Sequence, residues 1–273
     1  MRLSILLLVF LINHTVFGQN LIEGVIKNAD TNEPIPYVNI GILNRDKGTV
    51  SDEKGKFKLE VPNEFKNDTI RISSIGYKTK SFSANDFLSK TQINPTIELL
   101  PDIIELNEVL ITGKNLKEKV LGNKTKSGMM RGGFRNAPLG HELGIRIKIK
   151  KSPTYIEKFH TNVTSNTGES MKFRLNIYNL KDGLPYKRII KENIIFEIDT
   201  KEGEFTLDLS KYNIVVKEDF YFTVELIENQ KRGEEIFFSA NLLGKPIVTR
   251  QTSQGEWKKL GSVGIGFNLT VKY

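Results

Sequence analysis

The chain has 273 residues, 38% of them hydrophobic, which suffices for one or two domains with apolar cores. It has no cysteine, which excludes disulfides, thiolate metal sites, a cysteine nucleophile and a lipid-modified N-terminal cysteine. The net charge of +8 is concentrated: Gly113 to Gly140 holds five Lys, two Arg and one Glu, and the rest is close to neutral. A nucleic-acid binder sets its basic residues on a folded face beside stacking aromatics, so nucleic acid is not expected as a partner.

Residues 1–18 read as a secretory signal peptide. Arg2 supplies the positive charge, Leu3 to Ile12 are almost all apolar, and Val16-Phe17-Gly18 ends in a small residue. The apolar run is about ten residues, whereas a spanning helix needs roughly twenty. No later run approaches that length, so no transmembrane helix is expected.

From Leu21 to Leu100 short strands alternate with turns. Val38, Ile40 and Ile42 alternate with Asn39 and Gly41, and Phe57, Leu59 and Val61 with Lys56, Lys58 and Glu60. That period of two describes sheets with one buried and one wet face. Asp52-Glu53-Lys54-Gly55 closes a hairpin, with Gly55 at a position suited to positive φ. Pro34 and Pro36 belong at the start or edge of their strand. The segment 19–100 is therefore expected to be a small β-sandwich.

Three motifs carry a resemblance. They are Glu33-Pro34 with Pro36, Gly48-Thr49 with Asp52, Gly55 and Phe57, and Ser73 with Gly76-Tyr77. Together they resemble the carboxypeptidase-regulatory-like domain, a transthyretin-like (Ig-like) seven-stranded sandwich of Gram-negative exported proteins. The resemblance covers about a third of the chain. It implies export to the periplasm, the outer membrane or the cell surface. Such domains often precede TonB-dependent receptors, followed by a segment similar to Leu106–Gly113. There the stretch matching Glu108, Val109, Leu110 and Ile111 adds as a strand to TonB. A receptor barrel would need hundreds of further residues, so here the stretch is read first as a closing strand or linker.

Residues 101–140 are expected to be a linker, basic and Gly-rich from Gly113, with a helical turn at Leu116 to Leu121. From His141 to Tyr273 a second all-β region follows, with about nine strands, the count of a jelly-roll-like sandwich. Its segment Asp208–Phe220 is similar to a domain that accompanies the N-terminal module in other exported proteins. The ending Phe267–Tyr273 also resembles the last strand of an outer-membrane barrel. Most strands are shorter than the nine to eleven residues such a strand needs, and charges such as Glu157 and Lys158 occupy both phases.

Catalytic chemistry is hard to find. A zinc carboxypeptidase needs a His and Glu held together plus a distant second His. After the signal only His141 and His160 remain, and neither has a Glu three residues on. The resemblance covers only the regulatory-like appendage, so no peptidase activity carries over. Glu234-Glu235 and Glu218-Asp219 read as solvated turn charges, and Gly132-Gly133 beside Arg131 and Arg135 lacks the context of a phosphate loop. Trp257 reads as a core or hairpin aromatic rather than a sugar platform. No catalytic residue, cofactor or metal is expected.

The candidate contact residues are Glu108 to Ile111 and the cationic row Arg146, Lys148 and Lys150. That row would dock an acidic partner or glycan, or protect an outer strand from edge pairing. The expected function is a non-catalytic exported module recognising an envelope protein or polysaccharide. The alternative is a small outer-membrane barrel or TonB-linked transport accessory.

Overall fold

In the computed structural model, which describes residues 19–102, 116–242 and 244–273, the first period-two segments become two sheets closed over one core. The strands are β1 (Gln19–Asn28), β2 (Asn39–Ile42), β3 (Gly48–Val50), β4 (Lys56–Pro62), β5 (Thr69–Ser73), β6 (Lys80–Ser83) and β7 (Thr96–Leu99). One sheet runs β4-β1-β7 and the other β3-β2-β5-β6, with β7 parallel to β1. Phe57, Leu59 and Val61 turn inward from β4, and Ile40, Ile42, Ile70 and Ile72 face them. Gly55 has φ +71, and the Asp52 carboxylate accepts from the N–H groups of Lys54 and Lys56, each at 2.8 Å.

A helix that the strand-and-turn reading of this segment did not include, α1 (Ala84–Ile93), connects β6 to β7. Ser83 caps it by accepting from the Asp86 N–H at 3.1 Å, and Asp86 complements the dipole in the first turn. Ala84, Phe87 and Thr91 are buried; Phe87 packs on Phe57 and Phe82 at 6.1 and 5.4 Å between centroids.

The second domain comprises β8 (Glu118–Gly122), β9 (Met130–Arg135), β10 (Glu142–Ile147), β11 (Thr154–Asn166), β12 (Met171–Lys181), β13 (Leu184–Arg188), β14 (Ile194–Ile198) and β15 (Gly203–Asp208). It continues with β16 (Ile214–Val216), β17 (Phe220–Leu226), β18 (Glu235–Leu242), β19 (Ile247–Arg250), β20 (Lys258–Leu260), β21 (Val263–Ile265) and β22 (Phe267–Lys272). One sheet runs β13-β12-β17-β10-β19-β20, with β14 also on β12. The other runs β21-β18-β11-β22-β8, with β15 and β16 on β11 and β9 on β18. The protein is thus all-β, two sandwiches in tandem. Between the larger sheets lies a phenylalanine-rich core in which Phe159 meets Phe222 at 4.7 Å and Phe267 at 5.2 Å. The apolar faces of the two sheets meet each other in that core, and β22 lies between β11 and β8.

The expected linker needs correcting. Residues 118–122 and 130–135 are strands of the second sandwich, paired with β22 and β18, and Leu121 and Phe134 enter its core. The segment Leu116–Leu121 contains strand β8 instead of a helical turn. In β9, Gly133 serves close packing: a Cβ on it would lie 2.0 Å from the Ile236 carbonyl oxygen. The charges face outward, with Arg131 and Arg135 over the Phe237 ring at 4.7 and 5.1 Å and Arg135 paired with Glu235. The expected signal segment 1–18 and the stretch containing Glu108, Val109, Leu110 and Ile111 lie outside the described residues.

Candidate binding sites at the domain junction

Outward-facing polar residues of β12, β17, β10 and β19 stand in one row across the sheet. Cross-strand register places Arg174 opposite Glu225, Glu225 opposite Glu142, and Glu142 opposite Arg250. Two carboxylates side by side repel, and an arginine at each end compensates them. All four are buried, Glu142 and Glu225 completely.

Glu142 accepts from Arg250 Nε (2.9 Å), Asn176 Nδ2 (2.9 Å), Tyr178 (3.2 Å) and the Thr223 hydroxyl. Glu225 accepts from Asn176 Nδ2 at 3.0 Å and from Arg174 Nη1 at 3.4 Å. Burial disfavours its charge, but Arg174, Arg250 and Arg188 outweigh burial and hold its carboxyl below the usual range. Burial pushes the Tyr178 hydroxyl up to about 12.

The row is covered by the first domain. Asn39 of β2 donates its amide to Glu225 and to the Ser253 hydroxyl (2.8 Å), and its carbonyl oxygen accepts from Arg174. Arg174 also donates to the Tyr37 carbonyl. Close approach depends on glycine: a Cβ on Gly41 or Gly48 would lie 2.2 Å from the Ser253 carbonyl oxygen. Gln254 donates to the Ser73 hydroxyl at 2.9 Å, and Lys258 pairs with Asp46 at 3.1 Å.

Beside this junction the domains leave a cleft of about 1050 Å³. Its apolar floor is Tyr37, Val50, Leu139 and Ile227, which pack as one cluster. Its rim carries Glu23, Lys54, Lys56, Lys58 and Glu228. Lys172 ties the walls together, donating to Glu53 at 2.8 Å and to the Tyr37 hydroxyl at 3.0 Å. Those two hydrogen bonds raise the Lys172 ammonium above its ordinary value and keep it charged.

The cationic row does not form a row. Arg146 lies in β10, which has β17 and β19 on its two sides, so the edge-protection reading fails. Arg146 pairs with Asp219 at 2.8 Å, and Asp219 also accepts from the Ile149 N–H. Lys148 and Lys150 follow the end of the strand and are exposed. Trp257 packs edge-on against Tyr178 at 5.5 Å, with Arg250 over its ring. Sequence reading missed the junction residues Tyr37, Asn39, Arg174 and Glu225; their alternation marks a polar face without saying what covers it. Among the described residues no three His, Cys, Asp or Glu side chains are grouped to hold a metal ion.

Two sandwiches with a covered charge row and an open cleft define an all-β, two-domain protein. Residues 22–111 match the family model of the CarboxypepD_reg-like domain, so the first domain is a CarboxypepD_reg-like domain. The match covers about a third of the chain and stops short of the second sandwich. No curated protein matches. Among solved structures, one of infectious bursal disease virus, strain Gx, is similar at 10% identity with a TM-score of 0.23, over 93% of this chain and 63% of that one. The chain therefore spans less than two thirds of that protein, and a likeness at this TM-score carries no argument.

Proposed function

We propose that the protein is an exported, non-catalytic binding module of the bacterial envelope, acting at the periplasmic or outer-membrane surface. Its partner is an extended segment of an envelope protein or polysaccharide, taken into the cleft between the domains. The observation that carries this reading is the cleft itself, with an apolar floor, a charged rim and a volume in the range of ligand sites at domain boundaries. Its walls are pre-organised by Lys172 and the buried charge row, so closing on a partner would cost little ordering. Export is supported by the character of residues 1–18, and the absence of catalysis by the regulatory-like identity of the first domain.

The test is affinity capture from native envelopes with the chain from Gln19 onward. The comparison variant is K54E/K56E, which changes exposed rim charges only. A partner retained by the unaltered chain and lost by the variant supports the cleft. Equal retention, or capture of nothing, overturns it.

A further inference from the structure

A second hollow, of about 300 Å³, opens on the outer face of the sheet built around β11, away from the domain junction. At its centre His160 lies between two hydroxyls, with Nδ1 2.8 Å from Thr206 Oγ1 on β15 and Nε2 2.8 Å from Thr270 Oγ1 on β22. A neutral imidazole donates through one nitrogen and accepts through the other. The threonine that accepts from the ring keeps its own O–H to give outward. The one that donates to the ring keeps its lone pairs. The hollow therefore presents a donor and an acceptor on opposite sides of one fixed ring.

Two amides add to this. Asn162 spends its Nδ2 on the Ser239 hydroxyl at 2.9 Å, and Asn268 spends its Nδ2 on the carbonyls of Asn123 and His160, each at 3.4 Å. Both amide oxygens are left for a ligand. Val120 supplies apolar wall, and the Lys126–Glu204 ion pair stands at the rim. Burial, with Lys158 nearby, lowers the His160 pKa, so the ring is neutral at pH 7.

We propose that this hollow binds a neutral sugar unit of a polysaccharide. Paired donors and acceptors at fixed spacing match adjacent sugar hydroxyls, and Val120 matches the apolar C–H face of the ring. The polar groups around His160 are neutral and Lys126 and Glu204 pair with each other, while Lys124 also lines the hollow, so an acidic sugar is the competitor that the test must include.

The test is titration of the chain from Gln19 onward with neutral trisaccharides of glucose (α- and β-linked), mannose, galactose and N-acetylglucosamine, followed by calorimetry and by the ¹⁵N signals of the His160 ring. At least one should bind and shift those signals. The variants N162A and N268A should each lose about tenfold or more in affinity while keeping a cooperative melting transition. The cleft variant K54E/K56E should bind the sugar unchanged, so failure of the cleft reading and failure of this one are distinguishable. Absence of binding across the panel overturns the proposal, as does binding that the asparagine variants leave intact or that an acidic trisaccharide exceeds.

Discussion

The side-chain amide of Asn39 in the first domain donates to the carboxylate of Glu225, 186 residues later in the second. Its carbonyl oxygen meanwhile accepts from Arg174, so one neutral side chain serves both members of a buried ion pair. A buried pair is stabilising only when its remaining donors and acceptors are met, and here the neighbouring domain meets them.

Asn39→Ala should therefore destabilise both domains together. The charged groups it strips of a partner cost about 1–3 kcal/mol each in a buried setting. Because Asn39 lies at the junction rather than in either core, loss of coupling should appear as two separated unfolding transitions where the unaltered chain has one. Calorimetry checks this. A single transition at an unchanged temperature would contradict the arrangement.

Arg174 and Glu225 invite a comparison of breaking with replacing. Arg174→Met alone leaves Glu225 buried beside Glu142 and should cost about 3–5 kcal/mol. Replacing both, as R174M/E225L, removes the buried pair and should recover part of that loss, because apolar substitutes of similar volume avoid the desolvation penalty, although Arg188 loses Glu225 as a partner at 3.9 Å. Urea unfolding of the three proteins decides it. A double variant no better than the single one would mean that the row does more than balance charge.

Much of this architecture is legible in period-two alternation. Phe57, Leu59 and Val61 are buried as their phase requires, and the two sandwiches follow from it. The junction is not legible, for a definite reason. Asn39 and Gly41 occupy the polar phase of β2, as Arg174, Asn176 and Tyr178 occupy that of β12, and both faces read as wet. In the structure each face covers the other: Asn39 is 1% exposed and Arg174 likewise 1%. Alternation reports which residues share a face; whether water or another polar face lies above them is a tertiary fact. The basic, glycine-rich stretch misled similarly, since glycines needed for close strand approach have the composition of a linker. The helix α1 left a fainter mark in Ser83 three residues before Asp86, with Ala84, Phe87 and Thr91 at helical spacing.

Gly48 offers a steric test of the junction. It belongs to the hairpin motif and faces the Ser253 carbonyl oxygen at a distance no Cβ tolerates, 2.2 Å, while the nearest atom of its own sheet, the Ile40 carbonyl oxygen, would lie at 3.0 Å. Gly48→Ala should cost about 1–3 kcal/mol by forcing backbone apart at a packed contact. Gly128, where an added Cβ would meet nothing within 4 Å, is the control, and alanine there should be near neutral. Equal effects at the two positions would indicate that the domains do not close as described.

His141 gives the pH dependence its upper limb. Its Nε2 lies 3.2 Å from the Thr249 hydroxyl, which itself donates to the Glu142 carbonyl and so must accept from the ring. That leaves Nδ1 bare, buried and without a partner, so a second proton would enter with no acceptor. Burial accordingly lowers the pKa to about 4 from 6.5. The unfolded chain binds the proton first, so stability is complete above pH 6.5 and falls progressively towards pH 4. Glu225, whose folded pKa is also depressed, adds loss at lower pH, as the solution falls through the carboxylate range. His141→Gln keeps a donor towards Thr249 and cannot titrate. Its stability should fall less steeply from pH 6.5 to 4.5 than that of the unaltered chain, keeping there only the slope that His160, also lowered by burial, contributes, as urea unfolding at stepped pH measures; a slope equal to that of the unaltered chain would remove His141 as the cause.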